Sequence, residues 1–360
     1  MAAVTEPTGA DGDGAGPGGV ARPFARRIRR PPARPFRVMR MVWIASLFVV
    51  VLAAVVVYMT QPIGCVRRRD PLVRVDPERL RAHVRALCET MAPRTAAHPE
   101  NLDRAAEYVR RHLAEAGADA SIAPFTAEGR EYKNVVARVG PRTAERIVVG
   151  AHYDAAEAGI GADDNASGVA GLIELTSALR ESPVSTEVEL VAYSLEEPPF
   201  FRTRSMGSFV HAESLRKEGV AVRAMIALEM IGYFTDSPGS QKFPIGGLSL
   251  LYPSRGNFIA VVGCVGQGAL VRRVKTAMAE SMEVRVRSIN ATRSVPGVDF
   301  SDHLNYWDMG YPAVMVTDTA FFRNPNYHRA TDIPKTLDYS RMAEVVEGVH
   351  AAVKALASPR

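Results

Sequence analysis

Two neighbouring stretches bring metal-ligand chemistry into one turn. His152-Tyr-Asp154 is followed by Gly161-Ala-Asp-Asp-Asn-Ala-Ser-Gly168, so an imidazole and several carboxylates sit in a glycine-containing connection. Imidazole nitrogen and carboxylate oxygen are good ligands for zinc and similar divalent ions. Of His152 and Asp154, one is expected to bind a metal while the other orients it from behind. Taken alone, these residues suit a polar surface turn equally well, and the downstream sequence decides between the two. Glu196-Glu197 comes thirty-two residues after Asp164. Adjacent acids at a strand end point in different directions and can divide two roles, one as ligand and one as general base. Glu229 lies inside Ala224-Met-Ile-Ala-Leu-Glu-Met-Ile231, an otherwise apolar run. A buried, unpaired carboxylate is costly, and a cation is its simplest compensation. Ser301-Asp-His303 reads equally as a helix cap or a site contribution, and His328 falls in a long polar loop over 318–335.

The elements that must position these residues alternate. Strands are expected over 121–125, 135–139, 147–151, 188–194, 224–230, 258–263, 284–287 and 313–317, from short β-branched and apolar runs. Helices are expected over 77–91, 99–116, 166–179, 208–217, 269–281, 301–309 and 339–356. Asp76-Pro77 supplies an N-cap and a proline at the first helical position. The order predicts an α/β fold: one globular domain with a central mixed, mostly parallel sheet flanked by helices on both faces. His152, Asp164, the acid pair, Glu229 and His328 all fall at or beyond strand C-terminal ends, where open α/β sheets bind their ligands.

At this point a family resemblance is legible. His152-Tyr-Asp154, Gly161-Ala-Asp-Asp-Asn-Ala-Ser-Gly168, Glu196-Glu197, Leu228-Glu-Met-Ile-Gly232, Ser301-Asp-His303 and Asn326-Tyr-His328 resemble, in order and spacing, the motif series of the M28 zinc peptidases. The resemblance covers roughly residues 75–358. It implies a dinuclear zinc site, two ions per chain, and a peptide substrate. By position, Asp164 resembles the bridging carboxylate. His152 and Glu229 would complete one zinc, and Glu197 and His328 the other. Glu196 resembles the general base, Asp154 the residue that orients His152, and Tyr327 the hydroxyl that steadies the tetrahedral intermediate. Two features depart from the pattern: Glu229 stands where many relatives have Asp, and the segment 198–206 after the acid pair is longer than in the simplest members. An aminopeptidase is the leading expectation. A glutaminyl cyclase shares the fold with one zinc, but those relatives carry Trp where this chain has Tyr327. A carboxypeptidase or dipeptidase would need a clamp such as Arg202 or Arg204. A receptor-like domain that had lost its metals would be expected to lack a ligand, and all five are present.

Charge separates the chain into two parts. Residues 1–69 carry 11 Lys+Arg against 3 Asp+Glu, and the remainder 33 against 36, so the overall +5 belongs to the leader and no nucleic-acid surface is expected. Residues 1–40 read as a disordered, Arg-rich cytoplasmic tail, with eight arginines between Arg22 and Arg40. Met41 to Met59 is an uncharged apolar run with Trp43 and Tyr58 near its ends, so residues 41–60 are expected to span a membrane as a signal anchor. The arginine excess puts the N-terminus in the cytoplasm and the catalytic domain outside it, on a single-pass protein of the cell membrane. The run is longer than a cleaved signal peptide's, and Pro62 spoils the lipobox-like Ile63-Gly-Cys65. Residues 61–75 are a linker and 76–360 the peptidase-like domain. The three cysteines show no metal-site spacing and allow at most one disulfide. The oligomeric state is not legible.

Overall fold

The computed structural model describes residues 34–64 and 66–358; residues 1–33 of the tail expected to be disordered over 1–40, and Cys65, lie outside them, whereas 34–40 are helical. The chain divides into two units, Met1–Val51 and Leu52–Arg360. The first consists, where described, of most of helix α1 (Arg34–Thr60), which by length and composition suffices to cross a membrane over Phe36–Thr60. The helix starts seven residues before the apolar run: Pro35 falls in its first turn, where proline is tolerated, and the Arg, Phe, Val and Met that follow do not interrupt it.

In the second unit, eight strands form one mixed sheet. Their ranges are β1 (Asp119–Ala127), β2 (Arg130–Val139), β3 (Glu145–His152), β4 (Glu187–Tyr193), β5 (Ala221–Glu229), β6 (Phe258–Cys264), β7 (Arg285–Ala291) and β8 (Ala313–Thr317), in the order β1-β2-β4-β3-β5-β8-β6-β7. The four central strands β4, β3, β5 and β8 run parallel, so their C-terminal ends converge on one edge. Outside them, β2 pairs antiparallel with β4, and β6 antiparallel with β8. Central strands covered on both faces should be apolar throughout; β4 and β8 are buried at every position, and the exceptions, Glu187 and Glu189 of β4, pair with Arg138 and Arg146. The hairpin β1–β2 is longer than the alternation alone predicts, with Glu128-Gly129 at its turn, both at positive φ.

Helices α2 (Pro77–Arg85), α3 (Pro99–Glu115), α4 (Gly168–Glu181), α6 (Gly268–Ser281) and α8 (Tyr339–Ala357) pack among themselves and on one face over the larger apolar core. Helices α5 (Gly207–Lys217) and α7 (His303–Asp308) close the other face over a smaller one. Asp76 caps α2 by accepting from Glu78 N. α2 then opens into a wider turn over Ala86–Thr90 instead of continuing regularly to Met91. Cys88 is buried and Cys264 half-buried, and both are free.

One buried cation ties this scaffold to the loop after β3. Arg94 is fully buried, and its guanidinium donates to the carbonyls of Tyr153, Leu87, Ile160 and Gly161. Arg94→Met keeps the stem but orphans four acceptors. Since an unsatisfied buried acceptor costs about 1–3 kcal/mol, and relaxation recovers part of that, a loss on the order of 3 kcal/mol is expected in urea unfolding of the detergent-solubilised chain followed by Trp307 fluorescence.

Candidate metal centre

His152 ends β3, Glu196 and Glu197 follow β4, Glu229 ends β5, and His328 comes in the loop after β8. The four strand ends are neighbours, which brings together residues up to 176 positions apart in sequence. Asp164 arrives from the turn Ala162–Ser167 that leads into α4. Gly161 makes that turn at φ 69°; a Cβ there would collide with the Asp164 carbonyl oxygen, so only glycine fits. Leu195, Met230 and His328 also have left-handed backbone. Such conformations in non-glycine residues cost of order 1–3 kcal/mol each, and here they redirect the chain directly beside Glu196, after Glu229 and at His328.

The side chains form two triads that share one carboxylate. Asp164 Oδ1 lies 3.4 Å from His152 Nε2, which is 3.3 Å from Glu229 Oε2. Asp164 Oδ2 lies 3.1 Å from His328 Nε2, which is 3.2 Å from Glu197 Oε2. Each triad offers ligand atoms within 4.8 Å of one another. Glu196 belongs to neither; its Oε2 is 3.9 Å from His152 Nε2. Asp154 stands behind: its carboxylate accepts from Glu196 N at 3.2 Å and Glu197 N at 3.0 Å and faces His152 Nδ1 at 3.4 Å. It therefore fixes His152 and the acid pair together. Tyr327 stacks on His328, with centroids 3.8 Å apart.

The electrostatics follow from crowding. Burial and the neighbouring acids Glu197 and Glu229 push the Glu196 carboxyl well above the ordinary range. Burial and Asp164 push Glu197 up to about 7. Burial also raises Glu229, against the pull of His152. Asp164 goes the other way: despite burial, the imidazoles of His152 and His328 beside its two oxygens hold it below the usual range. His152 would be lowered by burial, but Glu229 and Glu196 carry it well above 6.5. His328 is likewise carried up to about 10 by Asp164 and Glu197. Protons thus stand where cations would relieve the same repulsion. His152 Nε2 and Glu197 Oε1 are buried without a hydrogen-bond partner. An orphaned imidazole nitrogen and carboxylate oxygen among these acids fit divalent ions.

Several supporting residues are not singled out by sequence reasoning. Asp332 accepts from Asp163 N and Asp164 N, fixing the shared carboxylate's backbone across a separation of 168 residues. Asp163 accepts from Gly232 N and Asn324 Nδ2. Asn165 Oδ1 accepts from Gly168 N and Met230 N. Asp163 and Asn165 lie in the Gly161–Gly168 motif, whereas no local pattern marks Asp332. Ser301 Oγ donates to Glu229 Oε2 at 2.8 Å, and Asp302, buried beside the site, is pushed by burial to about 7. The motif Ser301-Asp-His303 therefore contributes to the site, but not through its histidine: His303 Nε2 meets the Val298 carbonyl, and burial drops its pKa to about 4. Arg202 pairs with Asp299 and Arg204 with Glu213, so each guanidinium already holds a carboxylate of the chain. Beside the triads, Glu229 and Tyr327 border a pocket walled by Phe243, Phe258, Val298, Phe300, Met315 and Phe321, an apolar space fit for a bulky side chain.

Comparison with known proteins identifies the family. The profile described as "Peptidase family M28" matches residues 134–353. "Uncharacterized protein YfbL" of Escherichia coli K12 is 49% identical over 281 residues, covering 76% of this chain and 86% of that protein. "Leucine aminopeptidase 1" of Metarhizium robertsii is 26% identical, covering 66% of this chain and 58% of that protein. Solved structures sharing the fold include aminopeptidases and glutaminyl cyclases alike. A zinc aminopeptidase from Bacillus subtilis superposes with a TM-score of 0.61 at 15% identity, covering 79% of this chain and 96% of that one. With the profile spanning more than half of the sequence, the chain belongs to peptidase family M28 and is a hydrolase of peptides.

Proposed function

We infer that the protein is a membrane-anchored, di-zinc aminopeptidase. The observation that carries this reading is the pair of triads meeting at Asp164, with Glu196 beside both and part of neither. His152 and Glu229 would hold one ion, Glu197 and His328 the other, and Asp164 both. The mixed histidine and carboxylate set favours zinc. When bound, the two ions would lower the pKa of a shared water toward neutrality and polarise the scissile carbonyl. Glu196 takes the proton of the attacking water and delivers it to the leaving amine. Its raised proton affinity suits both halves of that task. The Tyr327 hydroxyl donates to the carbonyl oxygen as charge develops there. Asp154 keeps His152 in orientation. The substrate's free α-amine pairs with Glu196 or Glu229, which confines cleavage to the first residue. Helix α1 serves as the anchor, with the arginine-rich N-terminus in the cytoplasm and the peptidase domain on the other side of the cell membrane.

Metal content tests the site. Elemental analysis of protein purified without chelator should approach two zinc ions per chain. His152→Ala, Glu197→Ala and His328→Ala should each lower it. Asp154→Asn should weaken binding by about 10- to 100-fold, as changes behind a ligand do. Because His152, His328 and Glu197 must give up protons to coordinate, occupancy should fall as pH is lowered through 7. A content of one ion, unaffected by His152→Ala, would instead fit a cyclase-like centre.

Kinetics test the roles. Glu196→Gln should lower kcat by roughly 10²- to 10⁴-fold with both metals retained. Tyr327→Phe should cost on the order of 10²-fold, one donor's worth. Unchanged turnover in Glu196→Gln would remove it as the base. A panel of free, N-acetylated and N-terminal-Gln peptides should show hydrolysis only where the α-amine is free, with no cyclisation of the N-terminal Gln; equal cleavage of acetylated peptides would end the aminopeptidase reading.

A further inference from the structure

The end of α1 is built into the peptidase unit. Lys275 on α6 is 5% exposed, and its Nζ donates to the carbonyls of Thr60 and Gln61 and to Ser288 Oγ. Ser288 Oγ in turn donates to Thr60 O, and Asn290 Nδ2 to Tyr58 O. Gly266 N donates to the Tyr58 hydroxyl, and Arg272 to Gln61 Oε1 and Pro62 O. A helix C-terminus leaves carbonyls without partners and carries partial negative charge. Here a buried ammonium and two side chains of β7 supply the missing donors. Residues 58–62 therefore form a docked joint with α6 and β7.

This joint determines what lies beside the helix end. The turn between β6 and α6 carries Val265, 59% exposed, adjacent to the Gly266 amide held by Tyr58. The segment Ile245–Leu251 carries Leu250 at 89% exposure, with Ile245 and Leu251 also exposed. It is tied to the same place, because the Tyr252 hydroxyl donates to Ser288 O and Ser288 holds Thr60. Outside α1, these four account for most of the large apolar side chains exposed among the described residues. Apolar side chains gathered beside a helix end are the pattern of an interfacial contact.

We propose that the peptidase unit rests on the bilayer that holds α1, inserting Val265 and the Ile245–Leu251 segment into its interface. The proposal depends on α1 being a membrane anchor, and the experiment separates the two. A photo-crosslinking p-benzoyl-phenylalanine is placed singly at Val50, Leu250, Val265 and Glu100 of the full chain in phospholipid nanodiscs. Glu100 is an exposed control at the start of α3, which packs on β1 and β2 at the opposite sheet edge. Lipid adducts are read by mass spectrometry. The expected result is adducts at Leu250 and Val265 comparable with those at Val50, and none at Glu100. Adducts at Val50 with either loop position no better than Glu100 would overturn the proposal and leave the anchor standing. Chain-to-chain adducts in place of lipid adducts at Leu250 or Val265 would overturn it in favour of a second copy covering the face. Absence of lipid at Val50 would remove the anchor and the proposal together.

Discussion

Repulsion among Asp164, Glu196, Glu197 and Glu229 governs the organisation of this molecule. Four carboxyl groups buried at one sheet edge cannot all be ionised without compensation, because low dielectric magnifies their mutual energy and burial removes their hydration. Two histidines supply the available positive charge inside the cluster, one for each oxygen of Asp164. Asp164 is the one acid of the four held below the usual range, while the others are raised. A shared carboxylate flanked by two ligand sets is the arrangement that two cations would relieve most fully. The same crowding leaves Glu196 outside both sets with a high affinity for a proton, which suits the role of base and then acid proposed for it.

Holding like charges together demands a rigid frame. The parallel run β4-β3-β5-β8 supplies it by aligning four C-terminal ends. Behind the two triads lies a further acidic layer. Asp332 and Asp154 both spend their carboxylates on backbone amides, those of Asp163 and Asp164 in one case and of Glu196 and Glu197 in the other. Each thereby fixes the backbone that carries a candidate metal-binding carboxylate. Arg94 does the converse job for the loop from Tyr153 to Gly161, satisfying its carbonyls with a buried cation.

Most of this was legible because the informative residues were locally improbable. Glu229 stood out as an acid inside an apolar strand, and the eight strands followed from short apolar runs bounded by turn residues. The M28 motifs then linked residues that no periodicity could bring together. What escaped the sequence was long-range. Asp332 is an ordinary loop aspartate until it meets Asp163 and Asp164. Ser301-Asp-His303 suited a helix cap and a site contribution equally; in the structure the histidine faces the Val298 carbonyl, while Ser301 bonds Glu229 and Asp302 is buried beside it. Arg202 and Arg204 could not be assigned until Asp299 and Glu213 were seen to engage them. The cap that Lys275 places on the end of α1 was equally hidden, since a lysine on an amphipathic helix reads as solvated.

The central claim is that Asp164 is shared by two ions. Anomalous diffraction from crystals of the zinc-loaded protein, collected on both sides of the zinc edge, tests it directly. The account predicts two anomalous peaks flanking the Asp164 carboxylate, one contacting His152 and Glu229 and the other Glu197 and His328. A single peak, or two peaks of which either lies away from Asp164, would contradict it.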